Sequence, residues 1–151
     1  MPSWGEFKSV EPEMAGVVRT LFDAHRHKTI ATIRADGSPR ISGIECSFDN
    51  DRLTFGSMEG SRKLADLRRD PRFALHSASV DPVEGDEGMW PGEVKVAGRA
   101  IPGGVITGEG SGEMFVADLT EVVFVHLDRA ATKLIVEWWT PAGGLRRAER
   151  T

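Results

Sequence analysis

Short runs of alternating apolar residues, separated by tight turns, constrain this chain more than any other feature. Thr29–Arg34 alternates and leads into Ala35-Asp36-Gly37-Ser38, where glycine supplies the positive φ of a hairpin turn. Pro39–Phe48 returns, Asp49-Asn50-Asp51 turns again, and Arg52–Phe55 follows. After a helical interval, Phe73–Ala78 resumes the pattern. Turns this short join antiparallel neighbours, because a parallel crossover needs about a dozen residues or more. The spacing therefore predicts a mainly β fold, an antiparallel barrel with flanking helices, rather than a parallel sheet.

The remaining segments fill in one domain. Met14, Val17, Val18, Leu21, Phe22 and His25 recur at helical spacing, and Pro12 suits a first turn, so a helix is predicted over Pro12–His25. Asp81–Gly92 reads as a solvated acidic loop without the spacing or fixed glycine of a calcium site. Glu93–Ile101 alternates as a strand. Pro102–Gly112 carries five glycines and reads as a connection; its TGEGSG string lacks the Lys-Ser/Thr of a phosphate loop. Glu113–Leu119 is predicted as a short helix, and Glu121–Asp128 and Lys133–Thr140 as closing strands. The expected layout is an N-terminal segment and helix (1–26), a barrel (27–140) and a polar tail (141–151), with no internal repeat.

Chemistry concentrates in Leu53–Pro71, LTFGSMEGSRKLADLRRDP. A strand at Leu53-Thr54-Phe55 runs through Gly56–Gly60 into a helix that Ser61 caps and Asp70-Pro71 ends. A helix N-terminus offers free backbone N–H groups and about half a positive charge. Ser61, Arg62 and Lys63 add a hydroxyl, a guanidinium and an ammonium, a set suited to a phosphate monoester.

With HKTIATIRADGSPRISGIECSF before it and RDPRFALHS after it, this segment resembles the pyridoxamine-phosphate-oxidase-like family of split β-barrels, which bind FMN or a related deazaflavin (the F-420 coenzyme). The likeness covers His27 to Ser79 and continues more weakly through Val94–Ala100. It implies that Arg40, Arg62 and Lys63 hold the cofactor phosphate with Ser61 beside them. It also implies that Ser57 meets the flavin, and that backbone at Ile41, Ser42 and onward to Ile44, together with Met58, borders the ring. The cofactor it implies is FMN, with the deazaflavin coenzyme as the alternative. A homodimer with cofactor sites at the subunit boundary is implied as well, with Phe115, Val122, Phe124 and Trp138 as candidate interface residues.

Departures from the vitamin oxidase bear on function. Glu45 stands where that enzyme has a ring-contacting Lys, and Glu93 where Gln is common. TPAGGLRRAERT replaces the substrate-binding C-terminal segment. The resemblance therefore implies an oxidoreductase that reduces a small planar substrate by hydride transfer, rather than one that oxidises pyridoxamine phosphate. The alternative is a non-enzymatic protein that binds or stores flavin, haem or another tetrapyrrole, for which His76 and His126 are the strand-borne ligand options. No general acid or other catalytic residue is assigned.

Composition narrows the partners. A net charge of −4 over 151 residues disfavours a sequence-independent hold on nucleic acid or an anionic membrane. No apolar run approaches the roughly 20 residues that span a bilayer, and the opening MPSWGEFKSVEPE is too polar for a signal peptide. Cys46 has no partner cysteine, so a reducing cytoplasm is expected, with Cys46 as a small core residue. His25 and His27 diverge around a helix, and no metal site is expected. In Trp138-Trp139 one ring should face inward and the other outward.

Overall fold

The elements, in chain order, begin with α1 (Trp4–Val10), α2 (Pro12–Asp23), β1 (Lys28–Ile33), β2 (Pro39–Ile44), β3 (Cys46–Asp49) and β4 (Arg52–Met58). They continue with α3 (Arg62–Arg69), β5 (Arg72–His76), a short 3-10 turn at Glu87–Met89, β6 (Glu93–Ile106), β7 (Gly112–Leu127), β8 (Leu134–Thr140) and β9 (Gly144–Arg150). This computed structural model describes residues 2–106 and 110–151.

The hairpins form where the turn chemistry placed them. Gly37 takes φ 86° between β1 and β2, and Asn50 and Asp51 take φ 45° and 63° between β3 and β4. Pairing is antiparallel throughout the described residues, in the order β2-β1-β5-β6-β7-β4-β3. The first part of β7 pairs with β4 and its last part with β8, whose outer neighbour is β9.

Glu45 alone separates β2 from β3, yet these strands end the order on opposite sides. The sheet therefore curls until its two ends meet at Glu45, and β2 comes into contact with β4 without a ladder between them. The result is a split antiparallel β-barrel with helices packed on it. The predicted Pro39–Phe48 strand is thus two strands serving different neighbours, broken where the chain crosses the split.

Several expectations are corrected. Glu113–Leu119 is strand, not helix. Phe115, Ala117 and Leu119 are buried at period two, and the segment pairs with β6 and, through Val116, with β4. Pro102–Ile106 extends β6 rather than forming a connection, through a register shift at Pro102/Gly104 where Gly104 adopts φ 140°. Thr107–Glu109 of the TGEGSG string lie outside the described residues. The polar tail is largely β9, and the second helix ends at Asp23 rather than His25.

The helix α1 was not anticipated. The Ser3 hydroxyl accepts the Glu6 N–H at 3.2 Å, capping a turn that puts Trp4 and Phe7 on one face. Both rings are buried: Trp4 lies 4.6 Å from Phe48 and Phe7 4.8 Å from Trp139, centroid to centroid. With Phe22 of α2 they seal one side of the barrel. Trp139 points inward, while Trp138 is half-buried on the other face. Phe115 and Val122 belong to the chain's own core, which removes them from the candidate interface; Phe124 is half-buried.

Candidate functional site

Where the two ends of the sheet meet, the split leaves a cleft of about 440 Å³. That volume falls within the roughly 300–1,000 Å³ of small-molecule sites. Gly43 and Ile44 of β2, Glu45, Ser47 of β3, Thr54–Met58 of β4, Lys63 of α3 and Met114 of β7 line it, with His27 at the start of β1. Its floor is firm, because Phe55 packs edge-on against Phe73 at 5.0 Å and stacks with Phe115 at 6.0 Å. β7 approaches closely: a Cβ on Gly112 would lie 2.0 Å from the Ser57 carbonyl oxygen, so only glycine allows the β4–β7 pairing beside the cleft.

The turn from β4 aims the α3 N-terminus at this cleft. Ser61 caps α3 by accepting the Leu64 N–H at 3.3 Å, and its hydroxyl also lies 2.9 Å from that of buried Ser57. The first two backbone N–H groups of α3, on Arg62 and Lys63, have no partner among the described residues. Lys63 donates through Nζ to the Gly43 carbonyl at 2.9 Å, drawing the helix start against β2. The Arg62 side chain is exposed and makes no hydrogen bond among the described residues.

Nearby carboxylates are neutralised. Arg68 grips Glu59 with both terminal nitrogens at 3.1 Å and reaches Glu113 through Nε at 3.2 Å. These hydrogen bonds hold the Glu59 carboxyl below its ordinary range and raise Arg68. Glu45 is exposed at the rim, 3.4 Å from Arg26.

Arg40 lies elsewhere than at the cleft wall. Its Nε donates to Asp66 Oδ2 at 2.7 Å, beneath α3. Asp66, only 2% exposed, also accepts from Thr32 at 2.8 Å and Arg69 at 2.9 Å. Burial pushes the Asp66 carboxyl upward, but hydrogen bonds from Arg40, Thr32 and Arg69 outweigh it and hold the group below the usual carboxylate range.

Of the residues proposed from sequence, Ser57, Met58 and Lys63 line the cleft, while Ser61 and Arg62 cap and open α3 outside the lining. Ile41 and Ser42 lie on β2 outside the lining, with Ile41 75% exposed. His27, Thr54, Met114 and Asp66 were missed. Asp66 had one signal, a lone carboxylate inside an otherwise basic helix. Burial pushes the Cys46 thiol up to about 11, as for an inert packing residue. His76 and His126 lie 3.2 Å from Glu93 and 2.8 Å from Glu137, and neither lines the cleft.

The Ser57 hydroxyl and the Lys63 ammonium in the lining, next to the free amides of the α3 start and with Ile44, Met58 and Met114 along the walls, form a donor set that fits a phosphate ester carrying a flat ring.

Comparison with known proteins agrees with the fold. PhzG from Burkholderia lata 383, solved in complex with tetrahydrophenazine-1-carboxylic acid, is similar at TM-score 0.66 and 10% identity, covering 99% of this chain and 94% of that one. A pyridoxamine 5'-phosphate oxidase-related, FMN-binding protein from Nostoc punctiforme PCC 73102 is similar at TM-score 0.61 and 11% identity, covering 96% of each chain. A heme binding protein from Mycobacterium smegmatis gives TM-score 0.58 at 12% identity, over 91% of this chain and 88% of that one. No curated protein sequence matches this one. The family model described as pyridoxamine 5'-phosphate oxidase matches residues 14–140, which includes every strand from β1 to β8 and the whole of α3. On that match the chain belongs to the pyridoxamine 5'-phosphate oxidase family.

Proposed function

We propose that the cleft holds FMN, with its phosphate on the first turn of α3, and that the protein is an oxidoreductase reducing a small planar substrate. The observation that carries this reading is the pair of N–H groups on Arg62 and Lys63 without partners among the described residues, at the start of a helix whose Lys63 lines the cleft. Bound there, the cofactor would supply hydride transfer.

The chain's own residues bind and orient. Ser57 and Ser61 offer hydroxyls to the phosphate end, while Ile44, Met58 and Met114 exclude water from a ring. Glu45 stands at the rim with its charge paired to Arg26. The deazaflavin coenzyme presents a phosphate to the same turn and is the competing cofactor. A homodimer is part of the reading, because Ile41 and Met58, 75% and 63% exposed, leave apolar surface beside the cleft for a second copy. A strictly monomeric protein by light scattering would remove that part.

Tryptophan quenching titrations with FMN and with the deazaflavin coenzyme test the site. One of them should bind, and replacing Arg62 and Lys63 together by Ala should weaken it about tenfold or more, the loss of one or two charge-assisted hydrogen bonds. Failure of both to bind, or an unchanged affinity in the double variant, would overturn the assignment.

A further inference from the structure

The buried carboxylate under α3 has no place in the binding scheme described so far. Asp66 makes three hydrogen bonds, and two of its partners, Arg40 and Thr32, face each other across the β1–β2 ladder. The same helix is fastened to β2 a second time by Lys63 on Gly43. Helix and strand therefore run in opposite directions along this seam, with Arg40 one helical turn behind Lys63.

Asp66 takes Arg40 by Nε alone, and the two terminal nitrogens of Arg40 have no hydrogen-bond partner among the described residues. The Arg40 side chain is 18% exposed, and no buried side-chain nitrogen or oxygen among the described residues lacks a partner. Those terminal donors therefore still reach solvent. A guanidinium fixed through Nε keeps its outer edge in one orientation, the arrangement that suits an incoming phosphate.

We propose that Asp66 is a positioning residue: it holds Arg40 by Nε so that the terminal nitrogens of Arg40 serve the phosphate bound at the start of α3. The proposal rests on the FMN-phosphate reading, and the test separates the two. Arg69 binds the other oxygen of Asp66 and the Ile33 carbonyl, so it shares the anchoring of the carboxylate but not the grip on Arg40.

The experiment measures dissociation constants for FMN and for riboflavin, which lacks the phosphate, in the wild type, Asp66→Asn, Arg40→Ala, the double variant and Arg69→Ala. Wild type should prefer FMN strongly. Asp66→Asn should cut the FMN-to-riboflavin preference about tenfold, Arg40→Ala as much or more, and the double variant no further than Arg40→Ala. Arg69→Ala should lower the melting temperature and leave the preference intact. If Asp66→Asn fails to fold, Thr32→Val, which removes one hydrogen bond from the same oxygen, should move the preference in the same direction by about threefold. Its effect should vanish in the Arg40→Ala background.

An unchanged preference in the folded Asp66 variant would overturn the proposal and leave the phosphate site standing. Multiplicative effects of the Asp66 and Arg40 changes, or an equal loss in Arg69→Ala, would do the same. In place of a folded Asp66 variant, no shift in Thr32→Val, or a shift that survives in the Arg40→Ala background, would also overturn it. A wild type that binds riboflavin as well as FMN would instead sink the phosphate reading, and the proposal with it.

Discussion

The barrel is finished in opposite ways at α1 and at α3. Under α1 and α2 the rings of Trp4, Phe7, Phe22, Phe48 and Trp139 close on one another, with most of their surface buried. Beneath the α3 N-terminus the sheet stays parted, and the hydroxyls of Ser47, Thr54 and Ser57 and the Lys63 ammonium line the gap. The first region gains stability from apolar area removed from water, at about 25 cal/mol per Å². Little of that term is available to the second, because its groups remain solvated until a ligand arrives. Stability and binding are thus carried by different residues, and each can be disturbed alone.

The largest expected effect belongs to the sealed region. Phe7→Ala should cost about 3–5 kcal/mol of unfolding free energy, read by denaturant titration, because it leaves a cavity against Trp4 and Trp139. Cofactor affinity per folded molecule should be unchanged; a parallel loss of binding would break the division.

Asp66 lies between the two regimes, and its effect depends on pH. Asp66→Asn should cost on the order of 3 kcal/mol at neutral pH, since it leaves Arg40 and Arg69 without their carboxylate. The folded-state pKa of Asp66 lies below the unfolded value near 3.9. Its contribution is therefore present above about pH 4 and is lost as pH falls through the folded value. Unfolding followed against pH should show a shallower acid limb in Asp66→Asn than in the wild type. Limbs of equal slope would mean that the group does not titrate differently on folding.

The smallest stability effect belongs to the open region. Arg62→Ala with Lys63→Ala should move the unfolding free energy by no more than about 1 kcal/mol, while weakening the cofactor as stated above. A larger destabilisation would mean that Lys63 on Gly43 is a structural tie first.

Short-range chemistry made much of this legible in sequence. The hairpin turns at Gly37 and Asn50-Asp51, and the Ser61 cap, act within a few residues and stand as expected. The α1 helix was equally local, since Ser3-Trp4-Gly5-Glu6 is a capping-box pattern. The polarity of the surrounding segment hid it. Phe115 and Leu119 sit four apart, compatible with a helix, while Phe115, Ala117 and Leu119 also alternate. The choice was made by pairing with β6, the strand just before it, and with β4, more than fifty residues away in the chain. The same holds for the break at Glu45 and for Asp66, whose meaning depends on Arg40 and Thr32 from distant strands.

The C-terminal strand has a consequence for association. In the strand order β2, β3 and β9 are the outermost strands, each with one edge that has no ladder among the described residues. The edge of β9 is a template for strand addition. Arg146, Arg147, Glu149 and Arg150 crowd its seven residues with charge. An incoming strand would have to place its own side chains among them, so the composition that made this segment look like a mere tail is what keeps the open end of the sheet from recruiting copies into a fibre.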